Sequence, residues 1–141
     1  MKEFNYYIIK KSVKKQAPDA NTAKATARTA IERISFAKSI INTHKSKFVL
    51  ENAYESAREY LDAILYLKGY KSYSHEATIA FAHENGLTIT EAKTLDNLRK
   101  QRHGIKYYGE ETTNEEAILA IQLAEKTIRK LSEKFPELKR Q

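Results

Sequence analysis

The sequence predicts an all-α protein, an up-and-down helical bundle of about five to six helices, and three observations carry that reading. Residues that form tight turns are scarce, with four glycines and two prolines among 141 residues, whereas sheets need many turns. Apolar residues recur every three or four positions through most of the chain, which is the period of one helix face. No segment alternates apolar and polar residues for long enough to specify a strand.

The first segment, Lys2 to Gln16, has Phe4, Tyr7 and Ile8 at helical spacing and a lysine-rich end at Lys10, Lys11, Lys14 and Lys15. Lysines suit a helix C-terminus, and Ala17-Pro18 stops the helix. Asp19 or Asn21 can cap a second helix running to Thr43, with Ala23, Ala27, Ile31, Ile34 and Ile41 as its stripe. Ser46 can cap the third and longest helix, to Lys68. Its stripe is Leu50, Ala53, Tyr54, Ala57, Leu61, Ile64 and Leu65, and Gly69 suits the position that ends it. Ser74 caps a short fourth helix carrying Glu76, Ile79, Phe81 and Glu84, which Asn85-Gly86 closes. Thr88 or Thr90 starts the fifth, with Glu91 in its first turn and Leu95, Leu98 and Ile105 as its stripe, and Gly109 follows. Thr113 or Asn114 caps the sixth, with Ala117, Ile121, Ala124, Ile128 and Leu131 behind it and Pro136 closing it. We read one domain over residues 1–141, with N-terminal helices over 1–45 and the bundle core over 46–135.

Hydrophobic residues make up 41% and charged residues 30%, the balance of a globular chain rather than a disordered one. The absence of cysteine rules out disulfides, cysteine-based zinc sites and thiol catalysis. The apolar run at Tyr6 to Ile9 is too short for a signal segment or a membrane span, so a cytoplasmic protein without a membrane partner is expected. The formal net charge of +7 favours a polyanionic partner over lysines that are simply solvated.

The informative stretch runs from Asp96 to Gly109. On a helix, Leu95, Leu98, Arg102 and Ile105 share one face, so Arg102 interrupts an apolar stripe. An arginine there must be paired or face a cleft, because an unpaired buried charge is expensive. Arg99 and His103 lie four apart on an adjoining face. The residues alone leave two readings open. Arg102 serves a ligand, or it pairs structurally with a glutamate of the third helix while His103 is an ordinary surface histidine.

From Asn52 onward the chain resembles HEPN-domain proteins of archaea and bacteria. Three stretches carry the resemblance: Ala53-Tyr54-Glu55-Ser56-Ala57-Arg58-Glu59-Tyr60-Leu61 with Leu67-Lys68-Gly69-Tyr70, then Ser74-His75-Glu76-Ala77-Thr78-Ile79-Ala80-Phe81, then Leu98 to Gly109. The resemblance implies a small helical bundle that forms homodimers and acts on RNA without a metal or another cofactor. It also implies a toxin-like role beside a minimal nucleotidyltransferase partner. The family motif is an arginine, a polar residue, and a histidine after four to six intervening positions. Arg102 and His103 match the first two, but positions 107 to 109 are Tyr107, Tyr108 and Gly109, so the motif histidine is absent.

That substitution bears on chemistry. Metal-free RNA cleavage needs a base for the 2′-hydroxyl and an acid for the leaving oxygen, and histidine serves as both near neutral pH. Arginine stabilises the phosphorane charge. Tyrosine, with an ordinary pKa of about 10, is a poor base at neutral pH. The resemblance therefore implies Arg102, His103 and Tyr107 as catalytic candidates for weak endoribonuclease activity. Arg99, Lys106 and Tyr108 are the RNA- or phosphate-binding candidates, and no metal ligands are expected. In such systems the antitoxin can modify a tyrosine just past the motif histidine, near Tyr107 and Tyr108. The alternative is a non-catalytic helical module that binds a nucleotide, RNA or a protein partner. Among the remaining histidines, His75 reads as a capping or packing residue and His44 and His83 as surface residues. Tyr54, Tyr60, Tyr66 and Tyr70 read as bundle core, and Tyr107 and Tyr108 as base-stacking candidates.

Overall fold

A computed structural model describes residues 1–139. It contains α1 (Phe4–Ile9), β1 (Val13–Lys15), α2 (Ala20–Ser39), α3 (Ser46–Lys68), β2 (Tyr70–Ser72), α4 (His75–Glu84), α5 (Ile89–Tyr108) and α6 (Asn114–Lys134), followed by a 3₁₀ turn over Pro136–Leu138. The architecture is a helical bundle with a very small antiparallel ribbon. One apolar cluster runs through it from Phe4 to Leu138.

Helix α3 is the axis of the molecule. It packs along α2 as a helical hairpin, against α6 next to it, and touches α4, α5 and β2. All seven predicted stripe residues of α3 are buried, and so are Val49, Ser56, Tyr60 and Ala63. A helix that is apolar around most of its circumference belongs in the middle of a bundle. Gly69 ends it at φ +89°, and a Cβ there would also fall 2.6 Å from the Gln16 carbonyl oxygen. Both facts demand glycine.

The capping logic holds for four helices. The Asp19 side chain accepts from the Thr22 amide at the start of α2, and Ser74 accepts from the Ala77 amide at the start of α4. Thr88 with Glu91 and Thr113 with Glu116 form full capping boxes on α5 and α6. Ser46 does not cap α3. The cap position is Lys45, which makes no side-chain bond there.

Two expectations about the first 45 residues are corrected. The first helix stops at Ile9, because Lys11 takes a left-handed conformation at φ 62°. The chain then forms β1, which pairs antiparallel with β2 in the register Val13↔Ser72, Lys14↔Lys71, Lys15↔Tyr70. A three-residue strand is too short to show an alternating pattern, and its partner lies beyond α2 and α3 in sequence. In α2 the helix ends at Ser39 rather than Thr43, and Ile31 is exposed. The buried stripe is Ala23, Ala27, Ala30, Ile34 and Ala37. Small residues rather than the large apolar ones mark the packed face, because α2 lies close against α3.

Helix α1 docks on α4. The Phe4 ring meets Phe81 at 5.0 Å and Tyr70 at 5.2 Å, and the Phe4 amide donates to Glu84 at 2.7 Å. This contact ties α1 to the last turn of α4, while α4 packs directly against α5. No helix of the described residues is long and apolar enough to cross a membrane.

Candidate functional site

Four charged residues of α3 fall on one face. Glu51, Glu55, Arg58 and Asp62 are spaced four, three and four apart, so they line up along the helix. Arg58 forks between them. Its Nε and one terminal nitrogen donate to Glu55 at 3.0 and 2.7 Å, and the other terminal nitrogen donates to Asp62 at 2.7 Å. Burial pushes the Glu55 carboxyl up, but the Arg58 hydrogen bond and the charges of Arg58 and Arg102 outweigh it, leaving Glu55 below the ordinary carboxylate value. Asp62 goes the other way. Burial, helped by the neighbouring charges of Glu55 and Glu59, lifts it to about 6 against the pull of Arg58.

Arg102 reaches this face from α5. Its terminal nitrogen lies 3.2 Å from Glu55 and 3.9 Å from Glu51, and its side chain is only 14% exposed. The structural pairing with a glutamate of the third helix is therefore present. It is incomplete, since Arg102 Nε is buried without a hydrogen-bond partner, and Glu55 Oε1, 3.2 Å from the Arg102 terminal nitrogen, is held by charge without an aligned hydrogen bond. Buried polar groups of this kind are normally satisfied, so an unpaired guanidinium N–H asks for an acceptor.

Above Arg102 opens a cleft of about 290 Å³ lined by Ser74, His75, Glu76, Arg99, Arg102, His103 and Tyr107. The last turns of α5 form one wall and the first turn of α4 forms the other. Four of the sequence candidates thus meet in one place: Arg102, His103, Tyr107 and Arg99. Arg99 is held there by Asp96, whose carboxylate accepts from its Nε at 2.8 Å. The His103 ring leans on Tyr107 at 4.6 Å and Tyr108 at 5.7 Å. Tyr108 and Lys106 do not line the cleft. Tyr108 is 74% exposed beyond its edge, and the Lys106 ammonium sits 5.6 Å from the centre of the Tyr107 ring.

Sequence reasoning missed His75, Ser74 and Glu76 as cleft residues. His75 packs as expected, stacked on Tyr54 with ring centroids 5.8 Å apart and its Nδ1 2.7 Å from the Tyr54 hydroxyl. The same residue also lines the cleft opposite Arg99 and Arg102. Burial, with the charges of Arg58, Arg102 and Arg99, holds its pKa below the ordinary histidine value. Burial pushes the Tyr54 phenol well above its ordinary value. No local signal marks His75, because its role depends on how α4 sits against α5. His44 and His83 are exposed, Tyr54 and Tyr60 are buried, and Tyr66 and Tyr70 are partly buried. Among the described residues, no group of three or more histidine, aspartate or glutamate side chains is placed to hold a metal ion.

The fold and cleft define a class: a helical bundle with a small, arginine- and histidine-lined cleft between two helix ends. Comparison of the chain with protein-family models, with curated proteins and with solved structures gives no match.

Proposed function

We propose that this chain is a HEPN-like, RNA-directed protein whose cleft receives a phosphodiester of the RNA backbone. The observation that carries the reading is the meeting of Arg99, Arg102, His75 and His103 in one cleft, with Tyr107 at its mouth. Guanidinium forks suit phosphate oxygens, imidazoles move protons near neutral pH, and exposed tyrosines stack on bases. The overall charge of +7 draws a polyanion toward the surface. In a homodimer, two such clefts would share one RNA strand. Turnover is slow and metal-independent on this reading, because tyrosine stands where the family histidine is expected. A minimal nucleotidyltransferase partner would meet Tyr107 and Tyr108, which are 59% and 74% exposed.

A specific observation favours the second reading, a non-catalytic module for a protein partner. Arg102 already holds Glu55, and Arg99 already holds Asp96, so part of their charge is spent within the chain. Binding of single-stranded RNA across a salt series separates the two. On the RNA reading, wild-type protein binds at low salt, and Arg99→Gln and Arg102→Gln each lower the salt slope by about one. Slow cleavage persists in EDTA. Absence of RNA binding at low salt would leave the protein-partner reading in its place.

A further inference from the structure

The Tyr54–His75 pair has a definite polarity. Tyr54 is 2% exposed, and its contact with His75 Nδ1 is the hydrogen bond of its hydroxyl among the described residues. A buried O–H without an acceptor is costly, so the phenol donates and Nδ1 accepts. The neutral imidazole then carries its proton on Nε2. That nitrogen is a donor belonging to a residue that lines the cleft. Arg102, which also lines the cleft, carries a second N–H donor, its Nε, buried and without an acceptor.

We propose that His75 Nε2–H and the Arg102 guanidinium together seat one RNA phosphodiester, and that Tyr54 is the positioning residue that fixes the His75 tautomer. This rests on the RNA-directed reading above. The volume of about 290 Å³ admits a phosphate group with part of its sugar. His75 is here a binding residue and need not act as a base.

The arrangement couples binding to a proton. The groups facing His75 are Tyr54, Glu55 and Arg58 from α3, its neighbour Glu76 on α4, and Arg99, Arg102, His103 and Tyr107 from α5. With the cleft empty, burial and the three arginines favour the neutral ring, and Glu55 opposes them only in part. A bound phosphodiester adds a negative charge beside the imidazole and favours its protonated form. The imidazolium keeps its Nε2–H on the phosphate. Its new Nδ1–H faces the Tyr54 oxygen, so the phenol must give up its donor role to Nδ1, and that cost offsets part of the gain. Affinity therefore rises as pH falls. A phosphodiester stays singly charged over this range, so the change comes from the protein.

The test uses a fluorescent 2′-O-methyl RNA oligonucleotide, which binds without being cleaved. Its affinity is measured at pH 7.5 and pH 5.5 at constant ionic strength, for the wild type, His75→Gln and Tyr54→Phe. Nitrogen-15 spectra of the imidazoles are recorded on the wild type with and without the oligonucleotide, and with inorganic phosphate. Wild type is expected to bind about tenfold tighter at the lower pH, the equivalent of a one-unit rise in the His75 pKa on binding. His75→Gln loses most of that gain. The free wild type shows the proton on Nε2, and Tyr54→Phe shows mixed tautomers. An equal gain on acidification in His75→Gln and wild type would overturn the proposal, with the RNA reading intact. So would a wild-type imidazole protonated on Nδ1, or a His75 pKa moved by inorganic phosphate and not by the oligonucleotide. An unchanged tautomer in Tyr54→Phe removes the positioning role. Failure of the wild type to bind the oligonucleotide at either pH at low salt overturns both readings together.

Discussion

The contact of α3 with α2 and the contact of α3 with α5 bury different kinds of matter. Toward the hairpin, α2 contributes four alanines, Ala23, Ala27, Ala30 and Ala37, with Ile34 among them. Small side chains bring the two helices close, and the polar link between them, Arg33 of α2 donating to Glu59 at 2.6 Å and Asn52 at 3.2 Å on α3, lies at a part-exposed rim. Toward α5 the contact includes the Arg102–Glu55 pair and the Arg58 fork behind it. Ion pairs taken out of water roughly break even against well-packed apolar groups, so this side contributes less stability for the groups it buries. The fold is thus held mainly by the alanine-lined hairpin, and the cleft is built where charge is kept at a cost. Sites are drawn from such regions because their polar groups remain available to a ligand.

Breaking the alanine-lined contact should have the largest effect. Ile34→Ala removes a side chain that is 7% exposed on the packed face of α2, and should cost about 2–5 kcal/mol in urea unfolding. A loss below about 1 kcal/mol would mean that the hairpin relaxes around the cavity and is not the rigid part of the bundle.

The charged contact should reveal itself through pH. Asp62 has a folded-state pKa of about 6, above its unfolded value. Its contribution to stability is therefore fully present below the unfolded value and is lost as pH rises through 6. Asp62→Asn removes that dependence. The variant's stability relative to wild type should improve between pH 4 and pH 7, by on the order of 2–3 kcal/mol. His75 adds an opposite trend in the wild type. Its folded pKa is depressed, so its stability is present above the unfolded value and falls as pH drops below it. Parallel profiles for wild type and Asp62→Asn would show that Asp62 is not buried at a cost.

The smallest effect expected is at a cap. Thr88→Ala removes one half of the capping box at the start of α5, far along that helix from the cleft. It should cost about 1 kcal/mol and leave RNA affinity unchanged. A large loss of affinity with it would mean that the whole of α5, rather than its last turns, is set by the site.

Much of the bundle was legible in the chain because helix signals are local. Asp19, Ser74, Thr88 and Thr113 each announce a helix start within three residues, and Gly69 and Gly109 take the left-handed conformation just past helix ends. The buried stripes of α3 and α6 follow from spacing alone. The ribbon was not legible. Val13 to Lys15 reads as a continuation of a basic helix until Tyr70 to Ser72 is brought alongside it. The α2 stripe was read through its large residues, yet close approach selected Ala30 and Ala37 and turned Ile31 outward.

For the cleft, the chain by itself determined that Arg102 stands on an apolar face and that Arg99, His103 and Tyr107 lie within one or two turns of it. Helical spacing is sufficient for that, since all four share α5. Only the tertiary structure decided what those residues meet. Packing of α4 against α5 and α3 places His75 in the cleft and its Nδ1 beside the Tyr54 hydroxyl. Packing of α5 on α3 ties Arg102 to Glu55 while leaving its Nε without an acceptor. Contacts between residues so far apart in sequence leave no periodic or local trace, because they depend on how whole helices pack rather than on the spacing within any one of them.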